Sequence, residues 1–391
     1  MTPRIGFLVS HPIQYYTPIF RELAKRCDLT VYFAHRQTPE QQASAGFGVA
    51  FDWDIDLLSG YRSQFLTNLS RRPSTDRFWG CDTPDVAREI SEGRFDAFVV
   101  PGWALWSYWQ AARACRRAGV PVFVRGDSQL AGQRDGALRI AKALIFPHLL
   151  RRFDGFFHVG QRNREYLLHY GAPPQRLFFS PHCVDNAAFR AGSEAERQQA
   201  ASTGTARGGS KRILFVGKLV ERKRPLDLLH AAAQVRRHGM SVEVAFAGSG
   251  ELASSLEQFA KATDLPVQFH GFVNQSEMPA IYASADVIAL PSDGSETWGL
   301  VVNEAMACGV PAVVSDVVGC GPDLVESGAT GATFPLGDIP AMAKAIEAVL
   351  AFDAPTMRDR LEARMQIYSP VRAAEGIIEG AISLCGRLLL N

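Results

Sequence analysis

Twice along this chain of 391 residues, short apolar runs of strand length alternate with longer helical patterns, and one stretch poor in large apolar side chains separates the two series. Apolar runs too short for helices, each followed by an amphipathic helix, mark strands buried on both faces, so parallel α/β layers are expected. In the first series the strands are predicted at Arg4 to Val9, Leu29 to Ala34, Ala97 to Pro101, Val122 to Arg125, Phe156 to Val159 and Leu177 to Ser180. Helices are predicted at Pro18 to Arg26, Leu105 to Ala118 and Arg162 to Tyr170. The second series predicts strands at Ile213 to Val216, Val242 to Ala247, Val267 to Phe269, Val287 to Leu290 and Ala312 to Ser315, with helices such as Pro225 to Arg237 and Leu300 to Cys308. Between them, GSEAERQQAASTGTARGG (Gly192 to Gly209) cannot nucleate a core and reads as a linker. The expectation is two tandem doubly wound domains, residues 1–191 and 211–368, joined by 192–210. Open sheets of this kind bind ligands beyond the carboxyl ends of their strands, which puts the site in the cleft between the domains.

Composition excludes several classes. Hydrophobic residues make up 47% and charged residues 21%, which fits neither global disorder nor a polytopic membrane protein. No run approaches the roughly 18 apolar residues of a spanning helix, and the segment Met1 to Val9 is too short for a signal peptide, so a cytoplasmic protein is expected. Seven scattered cysteines without a C-x-x-C pair suggest neither a disulfide framework nor a zinc site. The net charge of +1 hides an asymmetry, because residues 1–190 carry 24 Lys/Arg against 17 Asp/Glu. The basic excess concentrates between Arg113 and Arg164, where 11 basic residues face 3 acids. It is too modest, and too poor in recognition motifs, for nucleic-acid binding.

Chemistry concentrates in two segments of the second half. In PSDGSETWGLVVNEAMACGVPAVVSD (Pro291 to Asp316) a strand is followed by a helix opening near Gly299. The amides of Trp298, Gly299 and Leu300 then point to the cleft with the positive end of the helix dipole behind them, a seat for phosphate. Glu304, inside that helix, tilts back toward its mouth and suits vicinal hydroxyls such as those of a ribose, while Glu296 lies toward the far end of a bound diphosphate. Taken alone, the two acids also read as a helix-start acid and a solvated residue. In RILFVGKLVERKRPLDLL (Arg212 to Leu229) a strand ends at Gly217, where backbone can approach closely, and Lys218 and Lys223 flank the exit. Two ammonium groups there would stabilise a diphosphate leaving group. A solvated basic loop is the competing reading.

Together these segments resemble the donor domain of GT-B glycosyltransferases of family 4, retaining enzymes that use nucleotide sugars. Glu296 and Glu304 match the family's E-x7-E motif, and Lys218 and Lys223 its basic pair, whose first member is usually arginine. AGSGEL (Ala247 to Leu252), HGFV (His270 to Val273), YASADVIALPS (Tyr282 to Ser292) and SPHCVDNAAF (Ser180 to Phe189) agree in order. The resemblance implies two Rossmann-like domains, a donor sugar held by Glu296, a ribose by Glu304, a diphosphate by Lys218 and Lys223, and a base against the backbone near Phe272. The turn of Gly248 and Gly250 would approach the donor, and a last helix within residues 369–391 would cross back to the first domain. It further implies transfer to a saccharide or lipid-linked acceptor without cofactor or metal, the nucleotide sugar being a co-substrate.

The first domain departs from the family's usual Gly-Gly loop and reads SHPIQYYTPIF (Ser10 to Phe20), as in a subgroup with HPIQY. His11 would contact donor or acceptor, or cap the helix entering at Pro18. Asp127, in VRGDS (Val124 to Ser128), would serve as acceptor base or sugar ligand, or stay solvated. FDWDIDLL (Phe51 to Leu58) contains D-x-D twice, a metal signature elsewhere, but its alternation predicts a half-exposed strand, and no metal is expected. In ALRIAKALIFPHLLRRF (Ala137 to Phe153), Arg139, Lys142, Arg151 and Arg152 interleave with apolar residues. Either this segment contacts an anionic membrane, or Leu144, Ile145, Leu149 and Leu150 pack inward, with Pro147 kinking or ending the helix. The rival functions are a nucleotide-sugar epimerase and a non-catalytic sugar-nucleotide-binding protein. An NAD-dependent oxidoreductase is disfavoured, since no G-x-G-x-x-G follows the first strand.

Overall fold

A computed structural model describes residues 2–42, 50–132, 137–203 and 209–388. The first sheet comprises β1 (Arg4–Val9), β2 (Asp28–Phe33), β3 (Arg62–Phe65), β4 (Ala97–Val100), β5 (Val122–Gly126), β6 (Gly155–His158) and β7 (Leu177–Phe179). Their spatial order is β3-β2-β1-β4-β5-β6-β7, every pair parallel. The second sheet comprises β8 (Lys211–Val216), β9 (Val242–Ala247), β10 (Val267–Gly271), β11 (Val287–Leu290), β12 (Ala312–Ser315) and β13 (Gly331–Phe334), in the order β10-β9-β8-β11-β12-β13 and again all parallel. Both are doubly wound, as the alternation predicts. Central strands such as VIAL in β11 are buried throughout because helices cover both faces. β3 and β13 lack an apolar signature because each lies at a sheet edge, where RSQF and GATF are only partly buried. The order reverses between β1 and β4 and between β8 and β11, and these two switch points face the cleft.

Three expectations are revised. Gly192 to Ser202 is the C-terminal part of a helix, Asn186–Ser202, and not a linker, while 204–208 lie outside the described residues. Asp185 caps this helix by accepting from Ala188 N at 3.1 Å. Its Ala, Glu, Gln and Arg residues favour helix without forming a core, and one stripe carrying Phe189 and Ser193 is enough to dock it on helices Met278–Ala283 and Leu300–Ala307 of the second domain. Phe51 to Leu58 alternates in exposure as a strand would, yet pairs with no sheet and instead reaches the second domain. Leu144 and Ile145 do not pack inward, because they sit on the outer side of helix Ala137–Leu150 at 68% and 59% exposure, whereas Leu150 is buried.

The final helix, Pro370–Leu388, lies on the first sheet. Its Ala373, Ala374, Ile377 and Ala381 are buried among Ile5, Phe7, Ile19 and Phe157, although the preceding helix, Ala354–Ile367, packs on the second domain. Gly376 permits this approach, since a Cβ there would stand 1.8 Å from the Phe179 carbonyl oxygen.

Candidate functional site

Loops leaving β8, β9 and β10 are knitted by backbone hydrogen bonds, Leu219 N to Ser249 O at 2.8 Å and Gly248 N to Gly271 O at 2.7 Å. Gly248, at φ +142°, is required, because a Cβ would stand 2.0 Å from the Gly217 carbonyl oxygen. The loops enclose a cavity of about 250 Å³ bordered by Gly217, Lys218, Arg222, Lys223, Gly248, Phe272 and Met278. Arg222, which within ERK reads as ordinary solvated charge, adds a third cation to this lining. Burial, then the neighbouring Arg222 and Lys223, holds the Lys218 ammonium below its ordinary range, while Asp76 acts in the opposite sense. Such a cluster lowers its own repulsion by taking up an anion.

In the same domain, Gly299 caps helix Leu300–Ala307 at φ +99°. The amides of the first turn carry the positive end of its dipole, and Val302 N donates back to the Gly299 carbonyl at 2.9 Å. The Trp298 side chain faces inward, its indole Nε1 donating to Asn303 Oδ1 at 2.7 Å, so only its backbone serves the mouth. Glu304 lies one turn inside, where Tyr282 Oη donates to its Oε2 at 2.7 Å. Burial pushes the Glu304 carboxyl up to about 7, although hydrogen bonds with Tyr282 and Gln275 oppose the shift. Glu296 pairs with Lys223, both being largely shielded from solvent.

The first domain contributes a second set of groups. Asp127 Oδ2 accepts from Thr297 Oγ1 at 2.8 Å and lies 3.7 Å from His182 Nε2. Burial raises this carboxyl, but interactions with His182 and Thr297 prevail and hold it below the ordinary carboxylate range. It is therefore an anion tied to the loop that carries Glu296. The buried Gln129 amide, which the sequence reading missed as an anonymous polar side chain, donates to Gly294 O at 3.0 Å, Glu296 O at 2.8 Å and Val317 O at 3.3 Å. His11, at the end of β1, lies 2.9 Å from Ser10 Oγ through Nδ1. Burial and the nearby His35 push it down to about 4, so it is a neutral imidazole at pH 7. On helix Ala137–Leu150, Lys142 is not a free surface cation. It sits 4.9, 4.8 and 5.3 Å from the ring centres of Phe146, Tyr166 and Tyr170.

Among the described residues no cluster of three His, Cys, Asp or Glu side chains is arranged to hold a metal. The D-x-D acids are engaged otherwise, Asp54 accepting from Ser276 N at 3.1 Å and Asp56 from Leu58 N at 3.0 Å. No helix among the described residues is long and apolar enough to cross a membrane.

A family model described as glycosyl transferases group 1 matches residues 210–351. D-inositol 3-phosphate glycosyltransferase of Frankia alni is 34% identical over 262 residues, 62% of this chain and 63% of that protein. Alpha-D-kanosaminyltransferase of Streptomyces kanamyceticus is 32% identical over 151 residues, 38% of each chain. The match thus spans less than two thirds of either relative. Among solved structures, Anabaena HepE in complex with UDP and glucose superimposes with a TM-score of 0.70 at 17% identity, covering 97% of this chain and 100% of that one. The alpha,alpha-trehalose 6-phosphate synthase of Burkholderia multivorans gives 0.69 at 14% identity, covering 100% and 98%. The architecture is that of GT-B glycosyltransferases.

Proposed function

We propose that this chain is a retaining, metal-independent glycosyltransferase of the family-4 type with an HPIQY first domain, which moves a sugar from a nucleotide-diphosphate donor to a saccharide or lipid-linked acceptor. The observation that carries the reading is the convergence of Lys218, Arg222 and Lys223 on one cavity, with Glu296 in direct contact with Lys223. Cations from one switch-point loop and a carboxylate from the other suit opposite ends of a sugar diphosphate. The UDP bound by Anabaena HepE supports a nucleotide donor.

In this reading Lys218 and Lys223 hold the diphosphate with the amides of Trp298, Gly299 and Leu300, Glu304 takes the ribose hydroxyls, and Glu296 takes the donor sugar. The bond between the anomeric carbon and the phosphate oxygen breaks with its electron pair going to the diphosphate, whose developing charge the lysines stabilise. The acceptor hydroxyl forms the new bond on the same face and passes its proton to the departing phosphate oxygen. Asp127 and His11 stand on the acceptor side, Asp127 as an anion and His11 as a neutral ring. The exposed apolar residues of helix Ala137–Leu150 favour peripheral contact with an anionic membrane on the cytoplasmic side.

A transfer assay in EDTA with a panel of nucleotide sugars tests the proposal, with the anomeric configuration of the product read by NMR coupling constants. Retained configuration in EDTA is expected. Glu296→Ala should abolish turnover, and Lys218→Ala and Lys223→Ala should each lower it roughly a hundredfold. An inverted product, or loss in EDTA restored by Mn²⁺, overturns the mechanism.

A further inference from the structure

The donor cavity is lined by the second domain, but the loop at its base end is clasped from the other side of the cleft. That loop, residues 272–276, leaves β10, an edge strand whose residues are only partly buried, and packs on its own domain through Val273. From the first domain, the Phe51 ring lies 4.4 Å from the Phe272 ring, and Trp53 meets Phe51 edge-on at 5.0 Å. Asn274 Nδ2 donates to the Asp52 carbonyl at 2.9 Å. Ser276 N donates to the Asp54 carboxylate at 3.1 and 3.3 Å, and the Ser276 hydroxyl donates to it as well. Gln275, between the two tied residues, lies close enough to the Glu304 carboxyl to counter the rise that burial imposes on it. The clasped loop therefore bears both the backbone at Phe272 and a partner of Glu304.

We propose that residues 51–54 are the first domain's contribution to nucleobase recognition, with Phe51 and Asp54 as positioning residues that hold loop 272–276 against the base of a nucleoside diphosphate. The proposal rests on the nucleotide-sugar reading of the cavity. Backbone recognition of a base demands a loop fixed to a fraction of an ångström, and an edge-strand loop gains that order from an aromatic contact and hydrogen bonds supplied in advance. Asp52 and Asp54 are exposed, so their role is to reach across the cleft and not to fill a core. Nucleotide affinity is thereby coupled to closure of the two domains.

Calorimetric titration of the full chain, Phe51→Ala, Asp54→Ala and Asp54→Asn with UDP, ADP, GDP, CDP and dTDP tests this, with inorganic pyrophosphate as the probe lacking a base. For the nucleotide that the unaltered chain binds best, Phe51→Ala and Asp54→Ala should weaken binding roughly three- to tenfold, the scale of one aromatic pair or charge-assisted contact. Pyrophosphate binding should not change. Asp54→Asn should restore most of the affinity, since its amide oxygen still accepts from Ser276 N. Equal melting temperatures without ligand show that the variants fold, and exposed Asp54 keeps the test available if Phe51→Ala does not. Unchanged nucleotide affinity in Asp54→Ala, or equal losses for nucleotide and pyrophosphate, overturns the proposal. If the unaltered chain binds none of the five nucleotides, the donor-site reading itself falls, and this inference with it.

Discussion

Glu304 sits where its ionisation matters both to folding and to the ligand. In the unfolded chain such a carboxyl ionises at an ordinary 4.5, whereas burial in the folded protein raises it to about 7. Between these values the native state holds a proton that the unfolded state has lost. Its contribution to stability is thus largest below the ordinary value and declines as pH rises toward 7. In the proposed role of Glu304, ribose hydroxyls call for the charged form, so the donor KM should fall as pH rises from 6 to 8. Glu304→Gln should flatten both trends. Melting temperature and donor KM, measured against pH for the two proteins, check this, and a Gln variant with undiminished pH dependence removes Glu304 as the titrating group. The pairing Glu296–Lys223 was latent in the sequence as a motif and a basic pair, but their contact across 73 positions was not.

Helix Ala137–Leu150 presents Ile140, Leu144 and Ile145 to solvent at 64%, 68% and 59% exposure. Phe146 turns the other way, onto Trp103, with ring centres 5.4 Å apart. The proposed contact with an anionic bilayer would use this outward aliphatic stripe on a chain half with excess positive charge, each basic residue contributing about 1 kcal/mol. Flotation with anionic vesicles at low salt should recover the protein. The double variant Leu144→Asp and Ile145→Asp should lose most of that binding without loss of thermal stability, since neither side chain is buried. Equal flotation of the variant would place the contact elsewhere. The amphipathic pattern was readable in advance, but its direction was not, because outward Leu and inward Leu have the same spacing.

At the scale of the molecule, several of the described residues tie the two domains together. Besides the 51–54 clasp, Gly132 and Gly294 meet backbone to backbone, with a Cβ on Gly132 falling 2.4 Å from the Gly294 carbonyl. Nearby, Gln161 N, opening helix Gln161–His169, donates to the Asp323 carboxylate at 3.0 and 3.1 Å. Gln129 lies at the centre, its amide shared among three carbonyls of the second domain. Gln129→Ala leaves those buried acceptors short of a donor, a penalty on the order of 1–3 kcal/mol against the closed arrangement. Turnover should fall about tenfold, and small-angle scattering should show a larger radius of gyration. Unaltered turnover and radius would mean that closure does not depend on this amide.

Local periodicity determined which segments became strands and helices, down to β1 and helix Pro225–Arg237, because a strand or helix buried against one neighbouring layer carries its own apolar signature. Local motifs likewise marked Lys218 and Lys223, within one strand-to-helix connection, and Glu296 and Glu304, which span another such connection and the helix it opens. Edge strand β3, the helix through Gly192 and the fate of Phe51 to Leu58 had no such signature. Their conformations are set by partners far along the chain: β2 for β3, the helices beside Tyr282 and Cys308 for Phe189 and Arg197, and loop 272–276 for Asp54. Asp127 and Gln129 acquired their partners in the same way, because a hydrogen bond between two domains is encoded by neither half alone, and only the tertiary structure brings donor and acceptor within reach.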